Sequence, residues 1–169
     1  MTEENPHCVA ALEPVRPGAK RSKVTSFSCY PTLSDAVLAA TNGAVWLPPD
    51  EDLRTQLDRI NEQQLKKARK PLSTKDTYVI AIDYWDANYQ GATLTWTAPA
   101  PCDSVTSYQA TGMGPGWNDV VSSTRGFANC NTNVLYENVY FGGALQICSP
   151  DCAGLGAMND KTSSRSWSF

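Results

Sequence analysis

The sequence has few of the residues on which many metal and nucleophilic sites depend. One histidine, His7, occurs among 169 residues. A histidine-dependent site would have to be built on this single side chain near the N-terminus. Uncharged stretches run through Ser, Thr, Asn and Gly, and none approaches the roughly 20 apolar residues of a membrane-spanning helix. We therefore expect no membrane span.

Several catalytic signatures are missing as well. No Gly-x-Ser-x-Gly segment occurs, and no pair of acidic residues stands out for glycoside hydrolysis. The glycine-rich stretch 112–116 lacks the lysine and the following helix of a phosphate-binding loop. No cysteine belongs to the paired CxxC motifs of a zinc ribbon. These absences predict a protein that is not an enzyme.

The six cysteines form an even set, which predicts three disulfides and an oxidising compartment. Many connectivities are possible, and proximity along the chain favours Cys8–Cys29, Cys102–Cys130 and Cys148–Cys152. A Cys–His nucleophile using His7, or a zinc site at Cys148–Cys152, would need unpaired thiols. The first residues, MTEENPH, lack the apolar segment of a signal peptide. We therefore expect a secreted protein whose signal has been removed.

Charge divides the chain into two parts. Residues 1–76 carry 11 basic and 10 acidic side chains, whereas residues 77–169 carry 3 basic and 7 acidic ones. The second part is also rich in Gly, Tyr, Ser and Asn, which is typical of short strands joined by turns. We expect a small α+β region with two helices over residues 1–75 and a mainly β domain over 76–169. The boundary is predicted within Lys70–Thr74.

In the first region, strands are predicted at Cys8–Val15 and Val24–Tyr30. Thr32 and Asp35 have the spacing of a helix-capping pair, and Gly43 is placed to end that helix. The first region could be a separate subdomain, an extension packed on the second, or a cleaved pro-region.

A second helix is predicted from Asp50 to about Lys70, because Leu53, Leu57 and Ile60 form an apolar stripe. Its basic end, 66–70, is interpreted as a solvated helix terminus, because no basic surface extends it. We therefore expect no nucleic-acid partner.

The second region contains an internal repeat. Tyr84–Gly91 and Tyr136–Gly143 both read aromatic, four residues, aromatic, one residue, Gly. Each is followed by a matching hexapeptide, Asn118–Ser123 in the first copy and Asn159–Ser164 in the second. The first copy carries extra residues around Pro99–Tyr108. Two related but unequal units are therefore predicted.

The hexapeptides supply the oxygen donors that calcium prefers. Each offers a carboxamide, one carboxylate, backbone carbonyls and two hydroxyls. Calcium accepts six to eight such oxygens in adaptable geometry, whereas magnesium requires a tight octahedron. One carboxylate per hexapeptide predicts modest affinity. The alternative is that both hexapeptides are simple turns, which would require the same coincidence twice.

These paired motifs resemble a microbial βγ-crystallin domain of the double-clamp calcium-binding type, over residues 77–169. The resemblance implies a mainly β fold, with two Greek keys of four strands packed as a sandwich with pseudo-twofold symmetry. It also implies two calcium ions in a crossed arrangement, in which each hexapeptide contributes to both. The implied ligands are the side chains of Asp119, Ser122, Asp160 and Ser163 and the backbone carbonyls of Trp85, Val120, Glu137 and Lys161.

Other residues in the motifs receive structural roles from the resemblance. Ser123 and Ser164 would tie the folded hairpins down by hydrogen bonds. Trp85 departs from the family pattern, in which an acidic residue is frequent at that position, although only its carbonyl is required.

The expected function is that of a secreted, non-enzymatic calcium-binding protein stabilised by its ions. The alternatives are a secreted protease inhibitor or a killer-toxin-like antimicrobial protein on the same fold, acting on a secreted protease or a competing cell. Pro99–Tyr108, pinned by Cys102, is the candidate inhibitory loop. A binder of cell-surface polysaccharide is a third possibility, through Trp46, Trp96, Trp117 and Trp167, although aromatics in a small sandwich usually form the core.

Overall fold

The computed structural model describes residues 1–15, 19, 21–68 and 76–169. The α-helices within these ranges are α1 (Leu33–Ala40) and α2 (Leu53–Ala68). The first strands are β1 (His7–Leu12), β2 (Val24–Tyr30), β3 (Tyr78–Asp86), β4 (Gln90–Ala98) and β5 (Tyr108–Ala110). The remaining strands are β6 (Ser123–Gly126), β7 (Thr132–Asn138), β8 (Gly142–Cys148) and β9 (Ser164–Ser168).

The strands form two sheets that pack into a sandwich. One sheet has the order β2-β1-β4-β3-β6 and the other has the order β5-β9-β7-β8. β3 pairs with both β4 and β6, and β7 pairs in the same way with both β8 and β9. β5 leaves the first unit to pair with β9 of the second. The predicted mainly β sandwich with two Greek-key units and a small helical region is confirmed.

The first region contributes directly to the larger sheet. β1 runs parallel to β4, with His7 opposite Thr93 and Ala11 opposite Thr97. β2 then pairs antiparallel with β1. The structure therefore shows these strands as an extension of the sandwich sheet. The predicted boundary segment, Lys70–Thr74, lies outside the described residues.

The two predicted helices are present with small shifts in their ends. Thr32 caps α1 by accepting a hydrogen bond from the backbone N–H of Asp35 at 3.1 Å. The left-handed residue after α1 is Asn42, with φ 51°, and Gly43 follows with φ 80°. α2 begins at Leu53 because Asp52 accepts a hydrogen bond from the N–H of Thr55 at 3.1 Å. Arg69 and Lys70, at the basic end predicted for this helix, lie outside the described residues.

The core has two compartments. One fills the interior of the sandwich and includes Trp96, Trp117 and Trp167, each at most 1% exposed. The other lies between the larger sheet and the helices, and includes Val37, Leu57 and Ile82 from α1, α2 and β3. The preference for these three tryptophans as core residues is borne out by their burial, whereas Trp46 is 56% exposed.

The three disulfides expected from proximity are present. They join Cys8 to Cys29, Cys102 to Cys130 and Cys148 to Cys152. No described cysteine is free, which removes both the Cys–His nucleophile and the zinc site as interpretations. Among the described helices, none has the length and apolarity to cross a membrane.

Candidate metal centre

Two folded hairpins frame the candidate site. The first hairpin, Tyr84–Gly91, and the second hairpin, Tyr136–Gly143, each bend through three residues with positive φ. In the second hairpin these residues are Tyr140, Phe141 and Gly143, with φ values of 58°, 67° and 77°. The motif aromatics pack edge to face, with centroids 5.6 Å apart in the first hairpin and 5.5 Å apart in the second.

Glycine is required at the end of each hairpin. A Cβ on Gly91 would lie 2.5 Å from Oδ2 of Asp86, and one on Gly143 would lie 3.0 Å from Cβ of Glu137. Both glycines also have left-handed backbone, which side chains rarely adopt. The spacing of glycine in the repeat therefore reflects both backbone conformation and close packing.

Two buried serines hold the hairpins against the sandwich. Ser123 donates to the carbonyl of Asp86 at 2.6 Å and accepts from the N–H of Tyr89 at 3.0 Å. Ser164 makes the equivalent bonds to the carbonyl of Asn138 at 2.6 Å and the N–H of Phe141 at 3.0 Å. These are the ties that the resemblance implied for the two serines.

The two hexapeptides exchange side-chain contacts. Ser163 of the second hexapeptide donates to Oδ1 of Asp119 in the first, at 3.0 Å. Ser122 of the first donates to Oδ1 of Asp160 in the second, at 3.1 Å. Each predicted carboxylate therefore lies beside the predicted hydroxyl of the other repeat. The chain brings these four side chains together in two crossed pairs.

Backbone hydrogen bonds hold the two hexapeptides in this crossed arrangement. The N–H of Asp119 donates to the carbonyl of Thr162, and the N–H of Asp160 donates to the carbonyl of Val121, both at 3.1 Å. Both aspartates have left-handed backbone, with φ of 58° and 54°. Asparagine and aspartate tolerate this conformation better than most residues. The sequence Asn-Asp is therefore suited to a turn that directs each hexapeptide towards the other.

The asparagines of the hexapeptides have a different role from the one expected. Asn118 donates through its amide to Oδ2 of Asp119 at 2.6 Å, and Asn159 donates to Oδ2 of Asp160 at 2.8 Å. Each carboxamide therefore orients the neighbouring carboxylate through an N–H group. Oδ1 of each aspartate is the atom that meets the opposite serine.

The hairpins lie directly beside the crossed pairs. The N–H of Ser122 donates to the carbonyl of Tyr84, and the N–H of Ser163 donates to the carbonyl of Tyr136, both at 2.9 Å. Trp85 and Glu137 are the next residues along each strand. This register places the first hairpin beside the pair that contains Asp160, and the second beside the pair that contains Asp119.

Each crossed pair offers one carboxylate and one hydroxyl, a donor set that fits a hard cation. Ligands about 2.4 Å from calcium that subtend an angle of roughly 75–80° are about 3 Å apart, close to the oxygen separations in the two pairs. The aspartates are exposed, whereas Ser122 and Ser163 are 7% and 6% exposed. Each position therefore has a protein side and a solvent side. Within the described ranges, no three His, Cys, Asp or Glu side chains form a metal-binding group, so carbonyls and hydroxyls would have to contribute.

The surroundings of the two hairpins differ. Trp85 packs edge to face on Trp117, with centroids 6.0 Å apart, and is 36% exposed. Glu137, at the equivalent position, accepts a hydrogen bond from the N–H of Ala144 at 3.1 Å. The departure at Trp85 therefore replaces a carboxylate by an aromatic contact. Trp117 directly precedes the first hexapeptide, but nothing in the sequence linked it to position 85.

Each of the following solved structures matches about half of this chain. The structure is similar to a double mutant of a βγ-crystallin domain from Clostridium beijerinckii, at 26% identity, covering 53% of this chain and 98% of that one, with a TM-score of 0.41. It is also similar to a βγ-crystallin domain from Flavobacterium johnsoniae, at 26% identity, 51% and 90% coverage and a TM-score of 0.36. An archaeal βγ-crystallin gives 20% identity, 54% and 98% coverage and a TM-score of 0.39. No family model and no curated protein matches the sequence.

Proposed function

Residues 77–169 have the βγ-crystallin fold, and on that premise we propose that the chain is a secreted, non-enzymatic protein that binds two calcium ions, which stabilise it. The observation that carries the proposal is the reciprocal pairing of Asp119 with Ser163 and of Asp160 with Ser122. A pair of ordinary turns has no reason to place a carboxylate against a hydroxyl of the other repeat twice.

Each ion would be held by residues from both Greek keys. One would take Asp119, Ser163 and the carbonyls of Lys161 and Glu137. The other would take Asp160, Ser122 and the carbonyls of Val120 and Trp85. Calcium would supply a positive charge between two loops that otherwise meet through backbone hydrogen bonds and hydroxyl-to-carboxylate hydrogen bonds. The chain's part is to hold the carboxylates in place, through Asn118 and Asn159, and to leave a side open to water.

The crossed arrangement gives calcium a stabilising role. The ligands come together only when both Greek keys are folded, so the ions bind the folded form and not the unfolded chain. Free calcium at 100 times its Kd should then add about 2.7 kcal/mol per site to the free energy of unfolding. This is a large fraction of the total for a small domain. The three disulfides support an oxidising, extracellular compartment in which calcium is abundant.

The test is calorimetric titration of the non-reduced protein with calcium, together with thermal melts in excess calcium and in chelator. We expect two ions and a higher melting temperature with calcium. Asp119→Ala and Asp160→Ala should each remove one ion. Glu137→Gln is the matched control, because its carbonyl is retained and the ion count should stay at two. Superimposed melts with no binding heat would show that the hexapeptides are only turns.

A second candidate function is inhibition of a secreted protease. The extra loop of the first unit is held by the Cys102–Cys130 disulfide, and Asp103 accepts hydrogen bonds from the N–H groups of Val105 and Thr106, at 2.9 and 2.6 Å. Val105 is 89% exposed at the tip of this turn. A rigid turn with an exposed apolar residue is suited to a protease cleft, because little ordering is required on binding.

Inhibition assays against metalloproteases and papain-like proteases test this second candidate. Val105→Asp should abolish any inhibition, and Val24→Asp, at another exposed valine, should not. An intact protein that inhibits none of these enzymes at micromolar concentration would exclude this function for those classes.

A further inference from the structure

A cavity of about 530 Å³ lies between the first turns of α2 and the sandwich. Leu53 and Leu57 of α2 and Tyr89 of the first hairpin provide its apolar surface. Arg125 of β6 and Asp151 of the loop after β8 also line it. The chain therefore brings an apolar surface and opposite charges together in a cavity large enough for a small ligand.

Backbone hydrogen bonds to β6 hold Asp151 in place beside this cavity. The N–H groups of Thr124 and Cys152 each donate to the carbonyl of the other residue, at 3.0 and 2.9 Å. The N–H of Gly126 donates to the carbonyl of Pro150 at 3.1 Å. The residues on both sides of Asp151 are therefore bonded to β6, which fixes where its carboxylate lies.

Two carboxylates share one guanidinium at the cavity. Nη2 of Arg125 donates to Oδ1 of Asp58 at 2.6 Å, whereas its Nε lies 3.7 Å from Oδ2 of Asp151, beyond hydrogen-bond distance. The side chains of Arg125 and Asp151 are 17% and 32% exposed. At the exposed rim, Asp52 and Arg54 carry opposite charges. Three acidic and two basic side chains line the cavity, which therefore carries one net negative charge.

Two buried polar atoms beside the cavity have no hydrogen-bond partner among the described residues. One is Oδ1 of Asp151, and burial raises the pKa of this carboxyl from its ordinary value of 3.8. The other is the hydroxyl of Tyr84, whose side chain is 0% exposed. The charged groups that act on this hydroxyl are Arg125, Asp83 and Asp151. Buried polar atoms are normally hydrogen-bonded, so the two atoms favour a ligand that supplies donors.

We propose that the cavity binds an alkylammonium group, presented by a lysine side chain of another polypeptide or by a free amine. An ammonium group has three N–H donors, so it can donate to Oδ1 of Asp151 and to the hydroxyl of Tyr84 while it neutralises the net charge. Its methylene stem would lie along Leu53, Leu57 and Tyr89. An anionic ligand is a poorer match, because it would add a negative charge to a cavity that is already negative.

The test is a calorimetric and NMR titration of the full, disulfide-bonded chain with Nα-acetyl-lysinamide. We expect a Kd of about 0.1–10 mM, the range for a ligand of this size, and shifts of the amide signals of Asp58, Tyr89 and Asp151. Nα-acetyl-norleucinamide is the matched probe, because it keeps the stem and lacks the ammonium group. Its binding should be weaker by about tenfold or more.

Two substitutions should change the affinity in opposite directions. Asp151→Asn removes the carboxylate that accepts from the ammonium group and should weaken binding about tenfold. Arg125→Gln removes the competing cation and should strengthen binding several-fold, whereas an anionic ligand would bind that variant more weakly. Glu62→Gln is the matched control, because it removes the same charge at an exposed position of α2 outside the cavity, and it should leave the affinity unchanged. Near-ultraviolet circular dichroism verifies folding of each variant, and the two probes can be compared without any substitution.

The proposal does not depend on the calcium sites, so the titrations are run both with calcium and with chelator. Equal binding of the two probes, or no binding of Nα-acetyl-lysinamide up to about 50 mM, would overturn it. Displacement of the amine by calcium, an equal loss of affinity in Asp151→Asn and Glu62→Gln, or binding of cellobiose by a chain that binds neither probe would also overturn it. A pentapeptide with a central lysine and free diaminobutane distinguish the two sources of the ammonium group. Tighter binding of the peptide supports a partner polypeptide, and tighter binding of the diamine supports a free amine.

Discussion

Arg165 donates a hydrogen bond to the carboxylate of Asp83 through the interior of the sandwich, and both side chains are 0% exposed. Asp83 lies on β3 of the larger sheet and Arg165 on β9 of the other. Thr124 donates to the same carboxylate at 2.7 Å, and the indole N–H of Trp96 donates to its second oxygen at 2.8 Å. The guanidinium also lies over the ring of Trp167, 5.1 Å from its centroid. The two Greek keys are therefore joined beneath the hexapeptides by a buried ion pair.

Removing one partner of this pair should destabilise the protein strongly. Asp83→Asn leaves the Arg165 charge buried without a counter-ion, and the expected loss in the free energy of unfolding is about 3–5 kcal/mol. Urea denaturation of the disulfide-bonded protein measures it. Glu62→Gln is the matched control, because the Glu62–Lys66 pair is exposed, and no measurable change is expected there. Equal effects of the two substitutions would show that the buried pair contributes no more than a surface pair.

Ser164→Ala should loosen the second hairpin. Ser164 is fully buried, and its loss leaves the carbonyl of Asn138 and the N–H of Phe141 without their partner. We expect a loss of about 1–3 kcal/mol in unfolding free energy. If the Glu137 carbonyl binds calcium, one of the two ions should also bind more weakly. Ser168→Ala, on the same strand, is the control, and a hairpin of unchanged hydrogen-exchange protection would contradict the assigned role.

Gly143→Ala and Gly142→Ala form a matched pair at neighbouring positions. Gly143 has φ of 77°, and its added Cβ would lie 2.7 Å from Nδ2 of Asn138. Gly142 lies in extended backbone, and the nearest atom to its Cβ would be 3.5 Å away. Gly143→Ala should therefore lower the unfolding free energy by roughly 1–3 kcal/mol, with little change for Gly142→Ala. Similar melting temperatures for the two variants would contradict this reading of the hairpin.

The single histidine gives stability a defined pH dependence. Burial lowers the pKa of His7 from its ordinary value of 6.5, and a hydrogen bond of 3.0 Å joins its Nδ1 to Oγ1 of Thr93. A lowered pKa in the folded state means that the unfolded chain binds the proton more readily. The contribution of His7 is therefore complete above pH 6.5 and is lost as the pH falls through the folded-state pKa.

Denaturation curves between pH 7 and pH 5.5 measure this effect, in a range about one unit or more above the ordinary pKa values of Asp and Glu. The unfolding free energy should fall with pH in the unmodified protein. In His7→Gln the fall should be absent, since the titrating group is gone. A fall of the same size in both proteins would assign the effect to other groups.

Much of the fold followed from local sequence patterns. The hairpins, the two helices and the disulfides depend on residues close in sequence, such as Thr32 with Asp35 or Cys148 with Cys152. The side-chain contact between Asp119 and Ser163 was also predicted, but only from the repeat and from the resemblance of the repeated motifs to a known family. Contacts without a local signature were not predicted. Asp83 and Arg165 are 82 residues apart, and neither has a neighbouring motif that indicates the other.

The placement of the first region was likewise left open by the sequence. Cys8 and Val9 look like part of an ordinary strand, and a period-two pattern does not state which edge a strand will join. The choice depends on the shape of a sheet whose strands β3, β4 and β6 begin more than 60 residues after β1. The parallel pairing of β1 with β4 is therefore a tertiary outcome that no local propensity encodes.

That pairing sets an order of events during synthesis. The β1–β2 ribbon and its Cys8–Cys29 bridge can form as soon as about thirty residues have emerged, because both partners are local. The edge of β4 that pairs with β1 becomes available only after Ala98 has emerged as well, since Ala11 pairs with Thr97. Until then, one side of β1 remains without its neighbour. A nascent chain stalled between these two lengths should be the form most readily captured by chaperones, and releasing it beyond Ala98 should end that capture.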